Sequence, residues 1–196
     1  DGSLLLEEQG ERSAIPTTVW SGTQFSAGEY GSRYIKKFIG DRRFTFPKSL
    51  YATEFSIASV IANKPNALVI DFFSGSGTTA HAVMRLNHQD GGHRRSISVT
   101  NNEVSEDEVK KLTKRGLRQG DPEWEALGIC QYVTKPRVTA VITGKTPAGD
   151  PIKGDYKFTD EFPMADGFEE NAIFFDLAYE DPDAVELGEA FEEIAP

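Results

Sequence analysis

The sequence predicts an α/β fold, on three observations. Residues 67–73 form a continuous apolar run of strand length, the tight turn Ser74-Gly75-Ser76-Gly77 follows directly, and helical spacing returns from Thr78. A strand apolar on both faces predicts a parallel sheet covered by helices. Strand, glycine turn, helix, strand, helix is the order such a sheet requires.

The elements follow in chain order. Residues 1–45 are rich in glycine, serine and charge without a sustained period, and read as an arm or linker whose best helical piece is 33–39. Phe46-Pro47-Lys48-Ser49 is a loop, because proline disfavours helix in the residue before it. Over 50–63, Leu50, Phe55, Ile57, Ala58, Ile61 and Ala62 fit a helical stripe that Lys64-Pro65-Asn66 breaks. After the glycine turn, Ala80, Ala82, Val83 and Leu86 predict a helix over 78–86. Residues 95–100 alternate as a second strand, with Ile97 and Val99 on one face. Ser105-Glu106-Asp107-Glu108 predicts a capping box, serine and glutamate satisfying each other's free amides. Acids open that helix, Lys110, Lys111, Lys114 and Arg115 close it, and Gly116 supplies the left-handed stop. A helix interrupted near Gly128 is predicted over 122–143, strands over 152–158 and 172–179, and a last helix from Asp181-Pro182 to Ile194. The chain thus divides into the arm 1–45, an α/β core 46–145 and an extension 146–196. No internal repeat is present.

Composition narrows the function classes. At 38% hydrophobic and 27% charged, 196 residues describe a globular domain with a real core rather than a disordered tail. No apolar run approaches the roughly 20 residues a membrane helix needs, and no signal-peptide pattern opens the chain. Cys130 has no second cysteine to pair with, so a cytoplasmic location is expected. Beside Ile129, it reads as a small core residue rather than a nucleophile. A net charge of −10 argues against a free-standing nucleic-acid binder. Yet Arg33, Lys36, Lys37, Arg42 and Arg43 are interleaved with Tyr34, Phe38 and Phe44. That pattern suits a DNA backbone or a solvated amphipathic face, and charge alone does not choose. His81, His88 and His93 show no metal-ligand spacing with Cys130, so no metal is expected. Asp1 and Pro196 read as cut ends, so the chain is expected to be a fragment.

The segment that carries chemistry is Asp71-Phe72-Phe73-Ser74-Gly75-Ser76-Gly77-Thr78-Thr79-Ala80. Glycines after a buried strand let the chain turn sharply and let a ligand lie against bare backbone. The helix that follows presents unpaired amides and a positive dipole end. An acid after the next strand suits ribose hydroxyls, and Glu103 stands 26 residues past Gly77. Gly75-x-Gly77-x-x-Ala80 formally satisfies the dinucleotide fingerprint, so spacing alone leaves the ligand open. A phosphate loop is excluded because no lysine follows Gly77, and Gly144-Lys145-Thr146 has Thr139 where that motif needs its earlier glycine.

Phe46-Pro47-Lys48-Ser49-Leu50, then a helix, then Val69-Ile70-Asp71-Phe72-Phe73-Ser74-Gly75-Ser76-Gly77-Thr78-Thr79 resembles the cofactor half of amino-methyltransferases acting on DNA. It is most similar to the adenine-modifying subunits of type III restriction-modification systems. His81-Ala82-Val83-Met84, Asp90-Gly91-Gly92 and the stretch from Arg94 to Glu103 continue the resemblance, which covers roughly 17–143. Ala165-Asp166-Gly167-Phe168-Glu169 resembles extensions of the same proteins. The resemblance implies a partial Rossmann-like S-adenosylmethionine-dependent methyltransferase sheet with flanking helices and a small C-terminal α+β extension. It implies S-adenosyl-L-methionine as cofactor, with Phe73, Ser74, Gly75, Ser76 and Gly77 passing under its methionine part and Asp71 and Phe72 at the base. Lys48 and Ser49 would close over the amino-acid end, Thr78 and Thr79 would bond its carboxylate, and Glu103 would hold the ribose. DNA would be the substrate, reached through a longer protein belonging to a restriction or defence complex.

Methylating an exocyclic amine requires a loop of the form Asp/Asn/Ser-Pro-Pro-aromatic, acting on a base flipped from the duplex. No such tetrapeptide occurs. The nearest, Asp121-Pro122-Glu123-Trp124, is explained by a helix start with proline in its first turn. In the resembling family's permuted order the missing loop precedes the cofactor half. No catalytic residue is therefore assigned, and the chain alone is expected to be inactive. Two other readings stay open: a fragment of an NAD-dependent oxidoreductase, and a non-catalytic interaction module of a restriction or defence complex.

Overall fold

The computed structural model describes residues 16–41 and 44–177. Six helices carry the architecture: α1 (Arg33–Ile39), α2 (Leu50–Ile61), α3 (Thr78–Asp90), α4 (Glu106–Lys114), α5 (Pro122–Glu125) and α6 (Lys135–Thr143). Two strands, β1 (Leu68–Asp71) and β2 (Arg95–Ser98), pair in parallel with Leu68 opposite Arg95 and Asp71 opposite Ser98. Single π turns at Gly28–Ser32 and Cys130–Thr134 run directly into α1 and α6. The β1–α3–β2 unit is the α/β order expected of the sequence.

Among the described residues the sheet is covered on one face only. Alternation sends Val69 and Asp71 inward, while Leu68, Ile70 and Ile97 are each close to half exposed, and Val99 shares their open side. The expectation that helices cover both faces is therefore corrected. The described helices α2 and α3 pack together, and α3 packs on β2, leaving the opposite apolar face bare.

The core gathers Tyr34 and Phe38 of α1, Leu50 and Tyr51 of α2, Ala80, Ala82 and Met84 of α3, and Val138 and Val141 of α6. Ile152, Tyr156, Met164 and Phe168 join them from beyond α6. In α2 the buried edge is Leu50, Tyr51 and Glu54, with Ile57, Ala58 and Ile61 half-buried. Phe55 leaves the predicted stripe and stacks edge-on with Trp20 and Phe25. Glu54 takes an inward position because buried Arg85 of α3 meets it at 2.6 Å.

The helix ends follow sequence with one exception. Gly116 stops α4 at φ 81, the Leu117 amide reaching Leu112 and the Gly116 amide reaching Thr113, a Schellman closure. The predicted capping box at the other end does not form: Ser105 occupies the cap position without a side-chain bond, and Glu108 accepts from Lys111 at 2.7 Å. Glu106, Asp107 and Glu108 still place negative charge on the positive end of the helix.

Two predicted strands are also corrected. Over 152–158 the structure forms no strand, only the isolated bridges Lys145–Pro151 and Asp155–Pro163 nearby, because Gly154 and Phe158 both adopt positive φ. Residues 172–177 form no strand, and 178–179 lie outside the described residues. The described part of the extension therefore carries a short 3-10 turn, Met164–Asp166, rather than α+β structure. Arg42, Arg43 and the helix expected from Asp181-Pro182 lie outside the described residues.

Candidate cofactor-binding site

The site grows from the end of β1. Asp71 ties the turn at two points: Oδ1 accepts from the Phe73 amide at 3.0 Å and Oδ2 from the Thr79 hydroxyl at 2.6 Å. The Ser74 amide donates to Val99 O and the Gly77 amide to Ser74 O, closing a tight loop on the edge of the sheet. Gly75 and Gly77 stand at φ 50 and 72, a region costly for residues with a Cβ. A Cβ on Gly75 would sit 3.1 Å from the Phe44 ring, and one on Gly77 would sit 3.3 Å from Val138. Both glycines are thus set by backbone shape and close packing together.

The turn leaves donors without partners. The amides of Gly75, Ser76, Thr78, Thr79 and Ala80 have no acceptor among the described residues. The buried Ser74 hydroxyl also has none. Phe72 and Phe73 project outward, Phe73 almost fully exposed. The hydroxyls of Thr78 and Thr79, by contrast, are engaged inside the protein: Thr78 Oγ1 accepts from Arg137 at 2.7 Å, and Thr79 donates to Asp71.

Residues far along the chain hold the turn from beneath. Thr134, the last residue of the π turn, donates to Gly75 O at 2.5 Å. Arg137 Nη1 donates to Ser76 O and to the Ser76 and Thr78 hydroxyls. Its Nη2 meets His81 Nδ1 at 3.3 Å, and His81 Nε2 meets the Tyr156 hydroxyl at 2.8 Å. Burial, then the Arg137 and Arg85 cations, hold the His81 imidazole well below its usual value. Neutral His81 therefore accepts at Nδ1 from Arg137, which leaves Nε2 to donate to Tyr156. Burial lowers the Arg137 guanidinium to about 10, so it remains cationic at neutral pH.

Glu103 follows β2 and lines two adjoining clefts. One, about 290 Å³, is bounded by Asn101, Asn102, Val104, Gln119 and Trp124. The other, about 280 Å³, is bounded by Phe44, Phe46, Ser105, Leu127 and Tyr132. Since the Phe44 ring also packs on Gly75, it links the glycine turn to the Glu103 clefts. Asn102 fixes this end of the site, its Nδ2 donating to Glu125 and its Oδ1 accepting from the Gln131 amide. Gly128 is required there, because a Cβ would fall 2.2 Å from Asn102.

The loop before α2 is anchored differently at its two candidate residues. Ser49 is buried, caps α2 through Ala52 and donates to Gln24 O at 2.7 Å. Lys48 is exposed, its backbone pressed against Gly31, where a Cβ would meet the Lys48 carbonyl at 3.0 Å. Asp121-Pro122 opens α5 with proline in the first turn, as its helix-start reading requires. Thr134, Arg137 and Asn102 were not assigned to this site from the sequence, and Phe44 was read there only as an aromatic of the basic stretch. The signal for Arg137 was a lone charge among the apolar positions Val133, Val138 and Val141 at helical spacing.

The profile of a family described as DNA methylase matches residues 5–119, more than half of the chain. The chain belongs to the DNA methylase family. It is 44% identical over 85 residues to the type II methyltransferase M.KpnI of Klebsiella pneumoniae, covering 43% of this chain and 20% of that protein. It is 35% identical over 135 residues to the EcoPI Mod subunit, a type III restriction-modification enzyme subunit of Escherichia phage P1, covering 69% of this chain and 19% of that one. The StyLTI Mod subunit of Salmonella typhimurium is 41% identical over 86 residues, 43% of this chain and 13% of that protein. The chain thus spans a fifth or less of these methylase relatives. Among the described residues, no helix is long and apolar enough to cross a membrane.

Proposed function

We propose that this chain is the S-adenosyl-L-methionine-binding part of a DNA methyltransferase acting on the exocyclic amine of adenine. The observation that carries the reading is the Ser74–Gly77 turn, where five backbone amides up to the start of α3 have no acceptor among the described residues. Such donors and the positive end of α3 fit a carboxylate. The buried, unpartnered Ser74 hydroxyl adds a polar contact in the same turn. The kinship to type II and type III methyltransferases supports the same chemistry.

In this reading Phe73 to Gly77 pass under the methionine part of the cofactor, with Asp71 bracing the turn from behind. Lys48, exposed on a long stem, suits the carboxylate as a counter-charge. Glu103, at the junction of the two clefts, suits ribose hydroxyls as an acceptor. Since Thr78 and Thr79 hydroxyls are engaged internally, their contribution is their backbone amides. When bound, the cofactor supplies a methyl group on a sulfonium. The chain contains no Asp/Asn/Ser-Pro-Pro-aromatic loop to receive the amine protons, so it binds and orients the cofactor without transferring the methyl itself. DNA and the partners of a restriction or defence complex are then reached through the rest of a longer protein.

Calorimetric titration with S-adenosylmethionine, with NAD as control, tests the reading. Saturable binding of the first ligand alone, lost in Gly75→Val, is expected. Binding of NAD in its place would sink the methyltransferase reading. Binding of neither would favour an interaction module.

A further inference from the structure

Arg137 is fully buried, yet its bonding partners are all neutral: a carbonyl, two hydroxyls and an imidazole. Its Nε has no partner at all, and among the described residues no carboxylate pairs with it. Burying an unpaired cation is costly, so a structure that retains one has placed charge where no protein group uses it. The charge lies directly behind the glycine turn.

The geometry of the turn says which way that charge acts. Among the described residues all peptides are trans, so a carbonyl and the amide that shares its plane point in opposite directions. Thr134 draws the Gly75 carbonyl toward α6, which turns the Ser76 amide away from α6. Arg137 draws the Ser76 carbonyl the same way, and the opposed Gly77 amide closes the turn on Ser74 O. A donor on a carbonyl also polarises its peptide and strengthens the opposed N–H as a donor. The π turn ending at Thr134 brings this hydroxyl under Gly75, and such turns cluster at functional sites.

Resting on the cofactor reading above, we propose that Thr134 and Arg137 are positioning residues that lock the Ser74–Gly77 turn with its Ser76 amide turned away from α6, and that the counter-ion of Arg137 is the bound ligand's carboxylate. Neither touches the ligand. Their effect is confined to the amino-acid end, so adenosine recognition at Glu103 is independent of them.

The test uses the 196-residue chain with two probes, S-adenosylhomocysteine and 5′-methylthioadenosine, which lacks the amino-acid carboxylate. Arg137→Met is expected to weaken the first by about tenfold, the size of one charge-assisted contact, and leave the second unchanged. Arg137→Lys restores part of the difference. Hydrogen exchange, read in the absence of ligand, is expected to quicken at the Gly77 amide in both Arg137→Met and Thr134→Val. Equal weakening of both probes, or unaltered exchange at the turn, overturns the proposal. Should Arg137→Met fail to fold, Thr134→Val carries the exchange measurement, since it keeps the buried charge. If the unmutated chain binds neither probe, the cofactor reading falls by itself. Exchange at the turn then decides the positioning role: quickened supports it, unaltered overturns it.

Discussion

Arg85 and Glu54 form the pair whose removal has the most calculable consequence. The Arg85 side chain is fully buried and that of Glu54 is 9% exposed, with Nε and Oε2 2.6 Å apart. Gln89 donates to the second carboxylate oxygen at 2.6 Å, and the guanidinium lies over the rings of Tyr51 and Tyr156. Arg85→Met keeps the stem's packing but strands the carboxylate on Gln89 alone. Breaking a buried pair from one side costs about 3–5 kcal/mol, and the surviving Gln89 bond argues for the lower end. A loss of about 3 kcal/mol corresponds to a fall in Tm of roughly 6–12 °C for a chain of this size.

Replacing both partners, Glu54→Leu with Arg85→Met, removes the stranded charge together with its desolvation cost. The double variant is expected within about 1 kcal/mol of the parent, because apolar replacement of a buried pair is often neutral. Urea unfolding with linear extrapolation measures all three proteins, provided the slope m stays constant. A single variant that loses less than about 1 kcal/mol would refute the claim that the pair is effectively desolvated. A double variant no better than the single would refute the stranded-charge argument and point to packing of the guanidinium between the two tyrosines.

Two further predictions rest on neighbouring features. Folded His81 stays neutral while the unfolded chain titrates near 6.5, so its contribution is complete above that pH and is lost as pH falls below it, by up to about 1.4 kcal/mol per unit. His81→Gln should flatten the decline in urea midpoint between about pH 7 and pH 5.5, and parallel declines would show that other groups dominate. Gly167, at φ 68, would place a Cβ 2.3 Å from Ile142 O, whereas Gly149, at φ 90, has nothing within 4 Å. Gly149→Ala should therefore cost only the left-handed penalty of about 1 kcal/mol, and Gly167→Ala should cost clearly more and loosen 152–168 to proteolysis. The reverse order would contradict the packing shown for Gly167.

Local signals were legible and long-range ones were not. Helix α1, the stop at Gly116, the strand before Asp71 and the helix from Thr78 all follow from spacing and turn chemistry within a few residues. The failures lie where a side-chain partner or a backbone conformation that spacing does not reveal decides the outcome. Glu54 joins the buried edge of α2 because of Arg85, 31 positions away, and Glu108 leaves its capping role for Lys111. Residues 152–158 have strand composition, but the positive φ of Gly154 and Phe158 bends them onto the core. The apolar pattern of β1 was read correctly as two-sided, yet only one side is covered among the described elements.

The same distinction divides the candidate site. The glycines, Asp71 and the start of α3 are a contiguous motif, and the family profile that ends at 119 contains all of them. Asp71 and Val99 brace the turn from within that boundary, whereas the bonds to its Gly75 and Ser76 carbonyls come from beyond it, at Thr134 and Arg137, and the wall beneath Asn102 depends on Gly128. A tight turn with two left-handed glycines is intrinsically mobile, since glycine pays the largest entropy on ordering. Two inward hydrogen bonds to consecutive carbonyls restrict that freedom, which in the proposed cofactor reading lowers the cost of binding. The motif therefore specifies what kind of turn forms, and α6 determines how rigidly its amides are presented. A chain cut after residue 119 would keep every residue of the motif and lose both of the groups that aim it.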